Sequence, residues 1–137
     1  MASTGVSVSD DVISQFNDIK LNRIKAKYVI YTIEGPQIVA SKISESDSWD
    51  EFVAEMPEDD CRYALYDMNF ETKDGRPSNK LVMISWAPDT AKVRSKMLYA
   101  GSKGALSSAL QGVGIKITAT DMSELTAEAV LDACTKI

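Results

Sequence analysis

Apolar residues recur along this chain with two periods, and each period predicts an element. In residues 10–20, Val12, Ile13, Phe16 and Ile19 fall at helical spacing and Lys20 closes the run. Ser9 precedes them as a candidate cap, and Asp10 and Asp11 stand where a helix dipole favours acids. Residues 27–34 and 37–43 are rich in β-formers and separated by Gly35-Pro36, which reads as a hairpin. Ser48 and Glu51 then give a capping-box spacing for a helix carrying Trp49, Phe52, Val53 and Met56, stopped by Pro57. Residues 61–72 read as a strand, with a turn at Asp74-Gly75.

The run Leu81, Val82, Met83, Ile84 is apolar on both faces. It predicts a central strand, ending near Trp86, with helices over both sides. Pro88 stops it, and Asp89 or Thr90 is a candidate cap for a helix from Ala91 to about Ala100. Gly101 and Gly104 predict a kink or break, after which a second helical piece runs to Gln111. Gly112 then reads as a helix stop, and residues 115–118 alternate as a short strand. Thr126 is placed to cap a last helix whose Leu125, Ala129, Val130 and Ala133 face the core. The elements predict one α/β (α+β) domain over residues 1–137, a mixed sheet between helices, with residues 1–7 as a flexible arm.

Composition narrows the chemistry. At 137 residues, 45% hydrophobic and 26% charged, the chain suits one globular domain. No apolar run approaches the ~20 residues of a membrane helix, and the start lacks the features of a secretion signal. A cytoplasmic protein is the expectation. The two cysteines, Cys61 and Cys134, form no metal-binding pair and read as free thiols. The absence of histidine rules out Ser-His-Asp and Cys-His mechanisms and the commonest zinc ligand. No phosphate-binding glycine loop is present, so no cofactor or metal is expected. The acidic run Glu58, Asp59, Asp60 reads as a solubilising turn, and an enzyme built on Asp59, Asp60 and Asp67 has no nucleophile behind it.

One stretch opposes the net charge of −5: Lys92, Arg94, Lys96 and Lys103 crowd residues 86–106, where Asp89 is the one acid. Lys92, Lys96 and Lys103 share a side of an ideal helix, and Arg94 points roughly away. The plainer reading is a solvated basic helix over a sheet. The sharper one is a basic helix that docks an acidic partner with Met97 as its apolar plug.

WAPDTAKVRSKMLYAGSKGAL (residues 86–106), DCRYALYD (60–67), FNDIKL (16–21) and the opening MASTGVSVSDD together resemble the actin-depolymerising factor/cofilin family. The likeness runs in one register over essentially the whole chain. It implies a mixed sheet sandwiched between helices on both faces. It implies binding to actin monomers and filaments, with preference for ADP-bound subunits, and filament severing and depolymerisation without covalent chemistry. It implies a monomer associated with the cytoskeleton.

By the same resemblance, Arg94, Lys96 and Met97 match the helix positions that face actin, and Lys103 a further basic contact. Lys80, Asp132 and Lys136 match contacts to the neighbouring filament subunit. Ser3, Thr4 and Gly5 match an actin-contacting arm, with Ser3 as an inhibitory phosphorylation site. Lys92, Arg94 and Lys96 match a phosphoinositide headgroup site. Gly104 stands where an acid is usual, and Ser107, Ser108, Ala109 and Ala133 where basic residues are common; Arg76 is placed to replace in part a basic residue expected near Ser78. Weaker filament and phosphoinositide binding than in basic members is therefore expected. The rival within this fold is a module of glia-maturation-factor type that binds the branch-nucleating complex, against which the intact Arg94-Ser95-Lys96-Met97 stands.

Overall fold

The computed structural model describes residues 5–21 and 23–135. Six strands form one sheet in the order β1-β3-β2-β4-β5-β6: β1 (Ser7–Val8), β2 (Tyr28–Glu34), β3 (Gln37–Ser44), β4 (Arg62–Glu71), β5 (Pro77–Trp86) and β6 (Ile115–Ala119). The β1–β3 and β5–β6 pairs are parallel, and the other three pairs are antiparallel. The helices are α1 (Asp10–Lys20), α2 (Trp49–Ala54), α3 (Val93–Ala109) and α4 (Ala127–Thr135).

Strand alternation sorts the core into two layers. Tyr63 and Leu65 of β4 and Met83 of β5 pack with Val12 and Phe16 of α1 and Tyr99 and Leu106 of α3. Ala64, Tyr66 and Met68 of β4 and Val82, Ile84 and Trp86 of β5 pack with Phe52 of α2 and Val130 and Cys134 of α4. The mixed sheet between two helical layers is thus the expected one. The apolar strand β5 is covered on both faces, but it lies one place in from the sheet edge, between β4 and β6.

Local chemistry explains most of the element ends. Ser9 Oγ accepts from Asp11 N–H at 3.3 Å, as its position predicts. Gly35 turns the β2–β3 hairpin at φ +60°, a conformation a β-carbon disfavours. Thr126 Oγ1 accepts from Ala129 N–H at 3.1 Å at the start of α4. Cys61 and Cys134 are free, buried and in different layers.

Several expectations are corrected. The capping box at α2 is half formed: Ser48 Oγ accepts from Glu51 N–H at 3.3 Å, while the Ser48 N–H goes to Ser46 Oγ at 3.3 Å. Met56 is buried, but it lies beyond α2. Ala129 faces solvent, and Val130 with Cys134 forms the buried stripe of α4. Of the expected arm, residues 1–4 lie outside the described residues; at its end Ser7 N–H donates to Pro36 O at 2.9 Å, and Ser9 N–H donates to Ile38 O at 3.0 Å. α3 is one uninterrupted helix of 17 residues, so Gly101 and Gly104 do not break it. Neither adopts a left-handed backbone, and packing against the sheet supplies what their propensity lacks.

Candidate functional site

α3 has an inner face that fixes it and an outer face that is free of the core. Tyr99, Ser102 and Leu106 are buried against the sheet. Tyr99 is the main tie. Its hydroxyl accepts from Ile33 N–H at 3.1 Å, satisfying a β2 group beyond the last residue that β4 pairs. Its carbonyl accepts from the Tyr63 hydroxyl, and the two rings lie 5.0 Å apart. Burial raises the Tyr99 and Tyr63 hydroxyl pKa values above the ordinary phenol value, so both stay protonated, Tyr99 accepting and Tyr63 donating.

The outer face carries the predicted site. Val93 and Met97, one turn apart, are 68% and 69% exposed, far above what side chains of this kind show in a core. Arg94 and Lys92 are also exposed, and Lys96 is half-buried. The Lys96 ammonium folds back to Asp89 O at 3.3 Å, which holds it beside the helix entry. The Lys103 ammonium reaches Thr118 Oγ1 of β6 at 2.6 Å. β1 touches α3, so the arm that includes Gly5 arrives on the same side as the helix. Ser3, Thr4 and Lys136 lie outside the described residues.

The start of α3 is locally unfavourable. Its cap position is Lys92, with no side-chain cap, and no acid occupies the first turn. Positive side chains there meet the positive end of the helix dipole, which costs about 0.3–1 kcal/mol each at a surface. Neither expected cap stands at the cap position: the Thr90 hydroxyl donates to Glu58 O, and Asp89 lies three residues before Lys92, its main-chain carbonyl accepting from Lys96. Nearby, Asp60 accepts from Cys61 N–H at 2.8 Å and from Arg62 at 3.0 Å. Partial burial works to raise the Asp60 pKa, but these hydrogen bonds and the charges of Arg62 and Lys92 outweigh it and hold the carboxyl below its ordinary range. Asp60 is therefore an ion-pair anchor for the loop beneath α3.

Lys80 and Asp132 form a separate group. The Lys80 ammonium donates to Cys134 O at 3.0 Å, near the end of α4, and stands 5.6 Å over the Phe70 ring. Asp132 is exposed on α4. These residues belong to β5 and the α2/α4 layer, whereas Arg94, Lys96 and Met97 belong to the α1/α3 layer. Val93 was not singled out by the sequence reading, although an apolar pair at i and i+4 in an otherwise basic turn was its signal. Among the described residues, no group of His, Cys, Asp and Glu is placed to hold a metal ion, and no helix is long and apolar enough to cross a membrane.

Comparison with known proteins bears on the chain as a whole. Residues 5–135 match the family described as cofilin/tropomyosin-type actin-binding protein. The cofilin of Ogataea parapolymorpha is 47% identical over 135 residues, covering 96% of this chain and 94% of that one. Actin-depolymerizing factor 2 of Arabidopsis thaliana is 40% identical, covering 90% of each chain. The crystal structure of Streptomyces griseoflavus cofilin superimposes with a TM-score of 0.89 at 40% identity, covering 96% of this chain and 98% of that one. The glia-maturation-factor alternative is less supported by these relatives than the cofilin reading. A chain with this sheet, this long basic helix and relatives of this closeness belongs to the cofilin/actin-depolymerising factor family of actin-binding proteins.

Proposed function

We propose that this protein binds actin through the outer face of the first turns of α3 together with the arm at β1, and that it promotes filament severing and depolymerisation. The observation that carries the reading is the exposed pair Val93 and Met97, set among Lys92, Arg94 and Lys96 at an uncapped helix start. Fully burying one such side chain contributes about 1.5–3 kcal/mol, and methionine adapts to an irregular cleft. Arg94 and Lys96 supply charge complementarity to an acidic partner, which sets orientation and on-rate. Lys103 extends the basic side of the same helix. Lys80, Asp132 and Lys136 form a second contact, to the adjacent subunit of a filament.

Filament turnover then follows from unequal binding. A ligand that prefers the twisted, ADP-bound filament shifts the population toward it, and no catalysis is required. The protein acts as a cytoplasmic monomer. Phosphoinositide headgroups compete for Lys92, Arg94 and Lys96, and phosphorylation of Ser3 adds about −1.5 to −2 charge beside an acidic partner and weakens the contact. With Ser107, Ser108 and Ala133 lacking positive charge, filament binding is weaker than in more basic members.

Pelleting with actin filaments, with the unpolymerised fraction measured alongside, tests the reading. The wild type cosediments and raises the unpolymerised fraction. Arg94→Glu with Lys96→Glu loses both effects while the circular dichroism spectrum stays native. Retained cosedimentation by that folded variant overturns the assignment. Capture of the branch-nucleating complex without pure actin would favour the glia-maturation-factor type instead.

A further inference from the structure

We propose that a groove along the free edge of β5, on a surface other than the outer face of α3, receives an extended acidic segment of a partner protein. β4 pairs with β5 from Pro77 to Trp86, but β6 joins β5 only from Val82 onward. Among the described residues, 77–81 therefore have a sheet neighbour on one side only, and that edge offers main-chain groups to an added strand. A hollow of about 460 Å³ runs along this edge, lined by Asn79, Lys80, Leu81, Gly112, Gly114 and Ile115. It continues past Asn79 and Leu81 into a wider groove of about 900 Å³ walled by Lys20, Ile24, Lys25 and Lys27.

The charge of these lysines is oriented without being neutralised. The Lys20 ammonium donates to Gln111 O at 3.0 Å and stands 5.2 Å over the Phe16 ring. The Lys80 ammonium donates to Cys134 O at 3.0 Å, and the Lys27 ammonium stands 5.3 Å over the Tyr66 ring. Carbonyls and ring faces hold a cation in place but leave its charge for an incoming anion. Among the described residues, carboxylates pair instead with Arg23, Lys42, Arg62 and Arg76. The wider wall also carries two acids, Glu45 and Asp67; Asp67 accepts from Asn79 Nδ2 at 2.7 Å and keeps its charge, and Lys20, Lys25, Lys27 and Lys80 outnumber the pair.

The geometry selects a peptide over a phosphate cluster. The three ammonium groups lie over different rings, Phe16, Tyr66 and Phe70, and do not converge on one point. Between them the lining is apolar at Ile24, Leu81 and Ile115. An extended chain alternates its side chains, so acidic residues meet the lysines while apolar ones meet that lining. Lys80 is shared with the proposed second actin contact, but Lys20, Lys25 and Gly114 are not, and the variants use those three.

The test is amide-resolved NMR of the 15N-labelled protein, titrated to millimolar concentration with a blocked octapeptide alternating Glu and Val, and separately with tripolyphosphate. The peptide is expected to shift amides of residues 20–27, 79–81 and 112–115. Lys20→Glu with Lys25→Glu weakens its binding at least about fivefold, since rim charges set encounter and orientation. Lys25→Glu alone, at an exposed side chain, weakens it in the same direction and guards against misfolding of the double variant. Gly114→Leu blocks it without changing charge, since a β-carbon there meets open space. Shifts centred on residues 93–97, or no shifts, overturn the proposal. So does tripolyphosphate moving the groove amides where the peptide does not, which would mark a phosphate site. Actin-monomer binding by Lys25→Glu stays at the wild-type level, so failure here and failure of the α3 reading give different results.

Discussion

α1 and α3 lie in the same layer, on the same face of the sheet, and are written by opposite rules. α1 has a Ser9 cap, Asp10 and Asp11 in its first turn and Lys20 in its last. It buries Val12, Phe16 and Ile19. α3 has no side-chain cap, no acid in its first turn and no base in its last. It leaves Val93 and Met97 in solvent. A helix selected for stability complements its own dipole and hides its apolar stripe. α3 breaks both rules at its outer end while packing well along its inner face, which is the pattern the proposed binding role calls for.

Substitutions that exchange the two rules break the comparison most directly. Phe16→Ala should cost about 3–5 kcal/mol, because a large side chain at 1% exposure leaves a cavity. Urea unfolding reads this, and actin affinity of the remaining folded fraction stays unchanged. Arg94→Glu should act in the reverse sense. It places an acid in the first turn, adding about 0.3–1 kcal/mol of stability, while removing about 2 kcal/mol or more of actin binding. A variant that is both more stable and unable to bind is the clearest sign of a functional helix end. If Arg94→Glu destabilises the fold, the assignment of its side chain to a binding face fails.

The caps sharpen the comparison at smaller scale. Ser9→Ala should lose about 1 kcal/mol with actin binding intact, and Lys92→Asp should gain a similar amount with actin binding weakened. Paired melting curves and pelleting assays check both. Smallest is the dependence on pH. The Asp60 carboxyl is lowered in the fold, so the unfolded chain binds more protons in acid. Its contribution is present above the ordinary carboxylate pKa and is lost as pH falls through the lowered value. Burial raises the Cys61 and Cys134 thiols, so the native state keeps protons that the unfolded state gives up. Stability should therefore fall as pH climbs past the ordinary thiol range. Melting temperature followed across both limits is the measurement, and a rise on the alkaline side would contradict the burial of the thiols.

What was legible in the sequence was what depends on neighbours in the chain. Ser9 with Asp10 and Asp11, Gly35 in its hairpin and Thr126 before α4 all act within a few residues, and the fold uses each as its spacing predicts. The start of α3 was misread because Thr90 bonds to Glu58, a residue far away in sequence. The helix break at Gly101 and Gly104 failed to appear for the same reason: Tyr99 and Leu106 on either side are packed into the sheet. In the candidate site, the motif around Arg94, Lys96 and Met97 falls on a turn of α3 where Arg94 and Met97 are exposed and Lys96 is half-buried. Val93 was passed over because one exposed valine is unremarkable until its neighbour is seen to be exposed too.

Tyr99 fastens the middle of α3 at two points, through its hydroxyl to the β2 backbone and through its carbonyl to Tyr63 of β4. A load applied at the protruding methionine is therefore handed to the strands and not dissipated by rolling of the helix. Rolling α3 about its axis would break both ties at once, so the position of its outer turn is set by the two strands.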